Sequence, residues 1–264
     1  MGDKNRKGNT IKEILDYKEL IKNLVVRDLK VRYKRSILGV FWALLEPLLL
    51  MILFTVIFSI FLRIQIEKYP VFVLSGILPW SLFSSALSYS AGSIAENATL
   101  IKKIYFPREI IPLTVIISRL VNFLLSLGLL FIFLIAFKIK FTYNLAYLPL
   151  ILIVQLLLIS GLCLFLAALN TFYHDVSFIL QFILFGWFYF TPIFYPLTMV
   201  PTRYLSLYLL NPMTIIVHSY RSILFYGKPP DFFYFLISSI LSIFCFLIGI
   251  YVFRRLESRF AEVL

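Results

Sequence analysis

Six long apolar stretches follow a charged N-terminal segment, each near the roughly 20 residues a helix needs to cross a bilayer core. They run Ile37–Leu62, Val71–Ala95, Ile110–Phe137, Leu145–Asn170, Val176–Tyr195 and Phe232–Phe253. Only Glu46, in the first, and Arg119, in the third, are charged. The stretches lack the polar–apolar alternation of a barrel strand. Backbone groups in lipid must find partners within their own segment, so these runs predict helices. Ahead of them, Thr10-Ile11-Lys12-Glu13 reads as a capping box. Ile14, Leu15, Ile21, Leu24, Val25 and Leu29 then recur at helical spacing, with lysine and carboxylate side chains on the other face. The pattern predicts an amphipathic helix over 10–35, too charged to cross and suited to the membrane interface; a helix docked on protein shares it.

The segment 196–228 breaks the rhythm. Pro201–Leu210 and Met213–Tyr226 are apolar but too short to span, and Asn211-Pro212 separates them. They predict two short re-entrant helices at the outer side, before the last span, covering the mouth of a pathway. The expected fold is thus an all-α membrane protein, one domain over 1–264 with six transmembrane helices.

Charge sets the expected orientation. The chain is 61% hydrophobic with net charge +12, but its basic residues border apolar runs and form no nucleic-acid-binding pattern. With the N-terminus inside, the inner segments carry 17 basic residues and the outer ones seven, Arg63, Lys68, Lys138, Lys140, Arg203, Arg221 and Lys228. The positive-inside rule then places both termini in the cytoplasm of a multi-pass protein of the cell membrane. The polar first 35 residues do not read as a cleavable leader. Cys163 and Cys245 lie inside apolar runs, where they serve as small apolar side chains.

Candidate chemistry is sparse. No Gly-x-x-x-x-Gly-Lys-Ser/Thr phosphate loop occurs, so the chain is not expected to be an ATPase or another enzyme, and no cofactor is expected on it. His174 and Asp175 have no third ligand beside them, so no metal site is expected. The inner loop offers Asn97 as the cap of a short helix through Lys103, ended by Pro107. Asn97-Ala98-Thr99 matches a glycosylation sequon on the wrong side of the membrane. Trp187, Phe190 and Phe194 share one helical face by their spacing and, with Tyr195, Tyr204 and Tyr208, offer flat faces along which a sugar could slide. Ser81, Ser84, Ser85 and Ser88 form a small polar stripe, the usual mark of close helix packing. Glu46 and Arg119 are costly in hydrocarbon and should face protein or water, with a mutual pair as one solution.

Several of these segments together resemble the polysaccharide-export branch of the ABC-2 permeases, the membrane subunits that export O antigen, capsule and teichoic acid. The resemblance rests on Arg32-Tyr33-Lys34-Arg35-Ser36-Ile37-Leu38-Gly39 with Trp42 and Pro47-Leu48, and on Gly76-Ile77-Leu78-Pro79-Trp80. It continues through Asn97 and Leu100-Ile101-Lys102-Lys103, Phe106-Pro107-Arg108, Pro112-Leu113, His174-Asp175-Val176, Pro192-Ile193-Phe194-Tyr195 and Asn211-Pro212. Glu46 departs from it, standing where a neutral residue is expected. The resemblance implies a homodimer with two copies of a separate ATPase subunit that binds ATP and magnesium. Its implied substrate is a glycan on polyprenyl pyrophosphate, most closely O antigen and alternatively capsule or teichoic acid. It further implies that 97–106 is a coupling helix carrying Asn97, Leu100, Lys102 and Lys103, and that Arg32, Lys34 and Arg35 are candidates for the lipid pyrophosphate. Trp42 and Glu46 are expected beside the aromatic residues on the substrate pathway. A membrane enzyme acting on lipid-linked sugars would instead need a carboxylate pair or His/Asp constellation at one interface. A secondary transporter would need repeats and several buried acids.

Overall fold

The computed structural model describes residues 16–34 and 36–264, and every regular element among them is helical. The capping box at Thr10–Glu13 and residue Arg35 lie outside the described residues. The amphipathic helix is α1 (Lys18–Tyr33). Its apolar face turns onto the chain's own bundle, burying Leu24 and Val25, where the sequence left lipid and protein as alternatives. After a 3₁₀ turn at Gly39–Phe41, α2 (Trp42–Phe54) runs on into a π-helical segment, Thr55–Phe61. Next come α3 (Tyr69–Glu96), the short α4 (Ala98–Lys103) and α5 (Ile110–Ala136). A 3₁₀ turn at Tyr143–Tyr147 leads into α6 (Leu148–Phe172), and α7 is Asp175–Tyr189. The hairpin of α8 (Thr202–Leu210) and α9 (Pro212–Leu224) precedes α10 (Phe232–Glu257) and α11 (Phe260–Val263).

Among the described residues, five helical segments are long and apolar enough to cross a membrane: Gly39–Phe61, α3, α5, Tyr143–Phe172 and α10. The sixth expected span, Val176–Tyr195, is cut short. Its helix, α7, ends at Tyr189 and has 15 residues, about 22 Å at 1.5 Å per residue. The cause is Pro192, which has no N–H to donate and disfavours helical backbone at Thr191.

Helix α3 is the centre of the bundle, with Val71, Phe72, Val73 and Leu74 wholly buried near its start. Gln155 on α6 donates to the Pro79 carbonyl at 2.7 Å, a polar tie inside this core. A second core closes the basic end, where Leu24, Ile94, Ile101, Phe106, Leu164, Phe253 and Phe260 meet. There Arg108 donates to the Glu257 carbonyl, and Arg254 pairs with Glu109 at 3.3 Å. Asp231 caps α10 by accepting from the Phe233 and Tyr234 amides.

Helices α6 and α10 form the most extensive pair, and glycines make it possible. A side-chain carbon at Gly249 would collide with the Gly161 backbone, and one at Gly161 with the Cys245 carbonyl. Such small-residue crossings let helix backbones approach closely. Gly249→Val should therefore destabilise the protein by about 3 kcal/mol, an overpacking cost, read as a lower unfolding midpoint in detergent. An unchanged midpoint would contradict the close crossing.

Candidate functional site

A cavity of about 990 Å³ opens between α7 and the α8–α9 hairpin. Trp187, Phe190, Tyr195, Tyr204 and Tyr208 line it with Met199 and Leu207. Most of its wall is apolar or aromatic, a surface that can hold the C–H face of a ring without gripping one orientation. Its geometry comes from Asn211. This side chain accepts from Trp187 Nε1 at 2.9 Å and from the Met213 amide at 3.0 Å, so it caps α9 while anchoring the indole. Its amide nitrogen donates to Thr191 Oγ1 at 3.2 Å. Tyr195 closes the upper wall through its hydroxyl, which donates to the Tyr189 carbonyl at 2.8 Å and lies 3.3 Å from the Tyr208 hydroxyl.

Behind this cavity, the irregular backbone after α7 is held by Arg221. The side chain is 2% exposed; Nη1 donates to the Pro192 carbonyl at 2.8 Å and Nη2 to that of Ile193 at 2.7 Å. Its guanidinium also lies 3.7 Å from the Phe72 ring centroid. Thus two buried carbonyls beyond the end of α7 are satisfied by a cation from α9. Gly76 makes room for it, because a side-chain carbon there would stand 2.8 Å from Arg221 Nη2. Tyr69 adds a second tie, donating to the Phe194 carbonyl at 2.6 Å.

A smaller, polar cavity of about 200 Å³ lies toward the basic end, between α2, α3 and α5. Arg32, Glu46, Tyr89, Arg119, Asn122 and the serine stripe line it. Arg119 pairs with Asp28 of α1 at 3.2 Å, and Glu46 lies 3.9 Å from Arg32. The expected Glu46–Arg119 pair is therefore not formed, because α1 brings a carboxylate to Arg119 and a guanidinium to Glu46. The stripe of Ser81, Ser84, Ser85 and Ser88 faces this cavity, beyond any part it has in packing helices.

The expected site residues divide accordingly. Trp187, Phe190, Tyr195, Tyr204 and Tyr208 come together around one cavity. Phe194 does not share a face with Trp187 and Phe190, because the helix has already ended. It is 6% exposed and stacks on Phe54 and Phe58 at 5.7 and 4.5 Å. Glu46 lines the polar cavity, and Trp42 is exposed on α2 and lines neither. Arg32 is at the polar cavity while Lys34 is exposed.

At the basic end, Asn97 does not cap α4. Its side chain accepts from Arg27 at 2.6 Å and donates to the Ser93 carbonyl at 2.8 Å, so α1 captures it first. Within α4, Ile101 is buried, Leu100 is half-buried, and Lys102 and Lys103 are exposed beside the exposed Ile104 and Tyr105. No group of three metal-ligating side chains occurs among the described residues.

Residues 19–225 match the family model of the ABC-2 type transporter. The chain belongs to the ABC-2 type transporter family. Its relatives include an O-antigen export system permease protein, RfbA, of Myxococcus xanthus, 34% identical over 84% of this chain and 86% of that protein. An RfbA protein of Klebsiella pneumoniae is 32% identical over 93% of this chain and 95% of its own length. The polysialic acid transport protein KpsM of Escherichia coli is 27% identical over 77% and 80% respectively. The matched region of this ABC-2 chain includes α7, the aromatic cavity, the Arg221 latch and the polar cavity.

Proposed function

We propose that this integral membrane protein is the permease subunit of an ATP-driven exporter of polysaccharide, with O antigen as the leading substrate class. The aromatic cavity carries the proposal: six aromatic side chains, Phe182 among them, line it between α7 and the hairpin, where a glycan can pass on weak contacts. The names of the relatives support it, as does a chain that contains no phosphate loop of its own. The lipid-linked glycan then enters from the basic end, which is cytoplasmic in this reading. Both termini lie inside, in the cell's inner membrane, and residues 1–264 act as one transmembrane domain.

In the same proposal, α7 and the segment through Tyr195 make the sixth crossing, and α8 and α9 form the re-entrant cover at the outer side. Non-helical backbone is tolerated at membrane depth only where protein satisfies it, and Arg221 and Asn211 supply that service here. Two copies of the chain assemble with two ATPase subunits, which bind the ATP and magnesium. Helix α4 couples to the ATPase: its apolar Ile101 roots it in the core, leaving Lys102, Lys103 and Ile104 outward. Arg32 and Lys34 face the entering lipid pyrophosphate.

Charge reversal tests the coupling. Lys102→Glu with Lys103→Glu should leave membrane insertion intact and cut co-purification of the ATPase and surface glycan by about tenfold, the equivalent of 1.4 kcal/mol. Normal co-purification and export at normal expression would remove α4 from the coupling surface.

A further inference from the structure

Arg119 carries more hydrogen-bonding capacity than its surroundings use. It is 2% exposed, and one nitrogen, Nη2, meets Asp28 at 3.2 Å. Nε and Nη1 are buried with no hydrogen-bond partner. Buried donors left unmade cost about 1–3 kcal/mol each, so an arrangement that keeps two of them at a cavity wall calls for an acceptor. The cavity they border, at about 200 Å³, has room for several water-sized groups, water occupying about 30 Å³. Around it stand a second guanidinium, Arg32, the Asn122 amide and the hydroxyls of Ser81, Ser84, Ser85 and Ser88. Both guanidinium carbons lie near the Tyr89 ring, Arg119 at 4.0 Å and Arg32 at 5.4 Å, which fixes the two cations together.

We propose that this cavity is a binding site for the phosphate group of a membrane lipid, with Arg119 as its central donor. A phosphate offers several acceptor oxygens, matching single guanidinium donors ringed by hydroxyls. Two carboxylates also face the cations, Asp28 on Arg119 and Glu46 near Arg32. Asp28 takes Nη2, and Nε and Nη1, which point to different sides of the guanidinium, remain as two single donors. Glu46, at 3.9 Å, is beyond hydrogen-bond length, and with its side chain 60% exposed it can turn to water when an anion arrives. Level also fits. Arg119 is nine residues into α5, about 13 Å along the helix, beside Asp28 of the amphipathic helix α1. The phosphate can come from a bilayer phospholipid or from the lipid carrier of the glycan. The second source rests on the export reading.

Native mass spectrometry of the full chain in detergent, titrated with three lipids, tests the site. The probes are a polyprenyl pyrophosphate, phosphatidylglycerol and phosphate-free diacylglycerol. Retention of a phosphate-bearing lipid over diacylglycerol is expected, with Arg119→Gln weakening it about tenfold and Glu46→Gln tightening it by removing a competing carboxylate. Preference for the polyprenyl lipid identifies the glycan carrier, and preference for phosphatidylglycerol identifies a bilayer lipid; either supports the site. If Arg119→Gln does not yield folded protein, Ser84→Leu, which fills the cavity from α3, should give the same loss. Equal retention of diacylglycerol, or full retention by a folded Arg119→Gln or Ser84→Leu variant, would overturn the site. Because the measurement needs no transport, its failure beside normal glycan export would remove this site and leave the export reading standing.

Discussion

Arg221→Met will lower the stability of the protein by about 3 kcal/mol or more and release the α8–α9 hairpin from the bundle. The substitution keeps much of the side-chain volume but deletes the donors to Pro192 and Ile193. Each carbonyl then stays buried without a partner, at about 1–3 kcal/mol apiece. Removing a buried, hydrogen-bonded charge also relieves its desolvation cost, which tempers the loss. The carbonyl terms win, because the chain between Thr191 and Phe194 is buried and has no helix of its own to fall back on. Two readouts separate this from a general loss of folding. The unfolding midpoint in detergent should drop, and a protease should cut the 196–228 segment well before the rest of the chain. Lysine at the same position has one ammonium to serve two carbonyls, so Arg221→Lys should fall between the two. A methionine variant as stable and as protease-resistant as the parent would refute the latch.

Trp187→Ala combined with Tyr204→Ala should reduce glycan export about tenfold while leaving protein levels near normal. Both residues face the aromatic cavity, one from α7 and one from α8; Trp187 also packs edge-on against Phe83 of α3 at 5.1 Å, so export is compared per copy of folded protein. Each ring gives only weak contact to a passing sugar, which is why two are removed together. Alanine at both Phe178 and Phe185, exposed on α7 and outside the cavity lining, is a matched control. Surface glycan per copy of protein, compared between the two variants, is the quantity to measure. Equal export by both would separate the cavity from conduction.

Much of this architecture was legible because lipid imposes a simple rule. Long uncharged runs must be helical, and five of them emerged within a few residues of their expected bounds. The hairpin of α8 and α9 was legible from Asn211-Pro212, since proline at a helix start and asparagine as its cap are local chemistry. What escaped was the end of α7. Apolarity continues through Tyr195, so hydropathy counts one uninterrupted span. The deciding residue is Pro192, together with an arginine 29 positions away that makes an early helix end tolerable. Arg221 was read as an outer-loop cation, although its neighbours Ile215, Ile216, Tyr220, Ile223 and Leu224 are apolar. A cation within such a stretch is the same signal that singled out Arg119, and it was available.

The candidate site shows the same division between local and long-range information. Trp187 and Phe190 line one cavity, but extending their helical spacing to Phe194 assumed a helix that had already stopped. The pairing of Arg119 was missed because Asp28 sits 91 residues earlier, on a helix whose docking face the sequence alone did not choose. Asn97 was misread for the same reason: Arg27 on α1 competes for the side chain that was expected to cap α4. In the last two cases a local rule held until α1 packed onto the bundle.

The central claim, ATP-driven glycan export through this chain, is tested most directly by transport in sealed inside-out vesicles. The vesicles would contain the chain with its co-purified ATPase and a labelled lipid-linked glycan added outside. The account predicts ATP-dependent passage of the glycan into the lumen, abolished when the chain is omitted and about tenfold slower with Trp187→Ala and Tyr204→Ala. Passage at the same rate without the chain, or ATP hydrolysis by the complex with no glycan ever reaching the lumen, would contradict it.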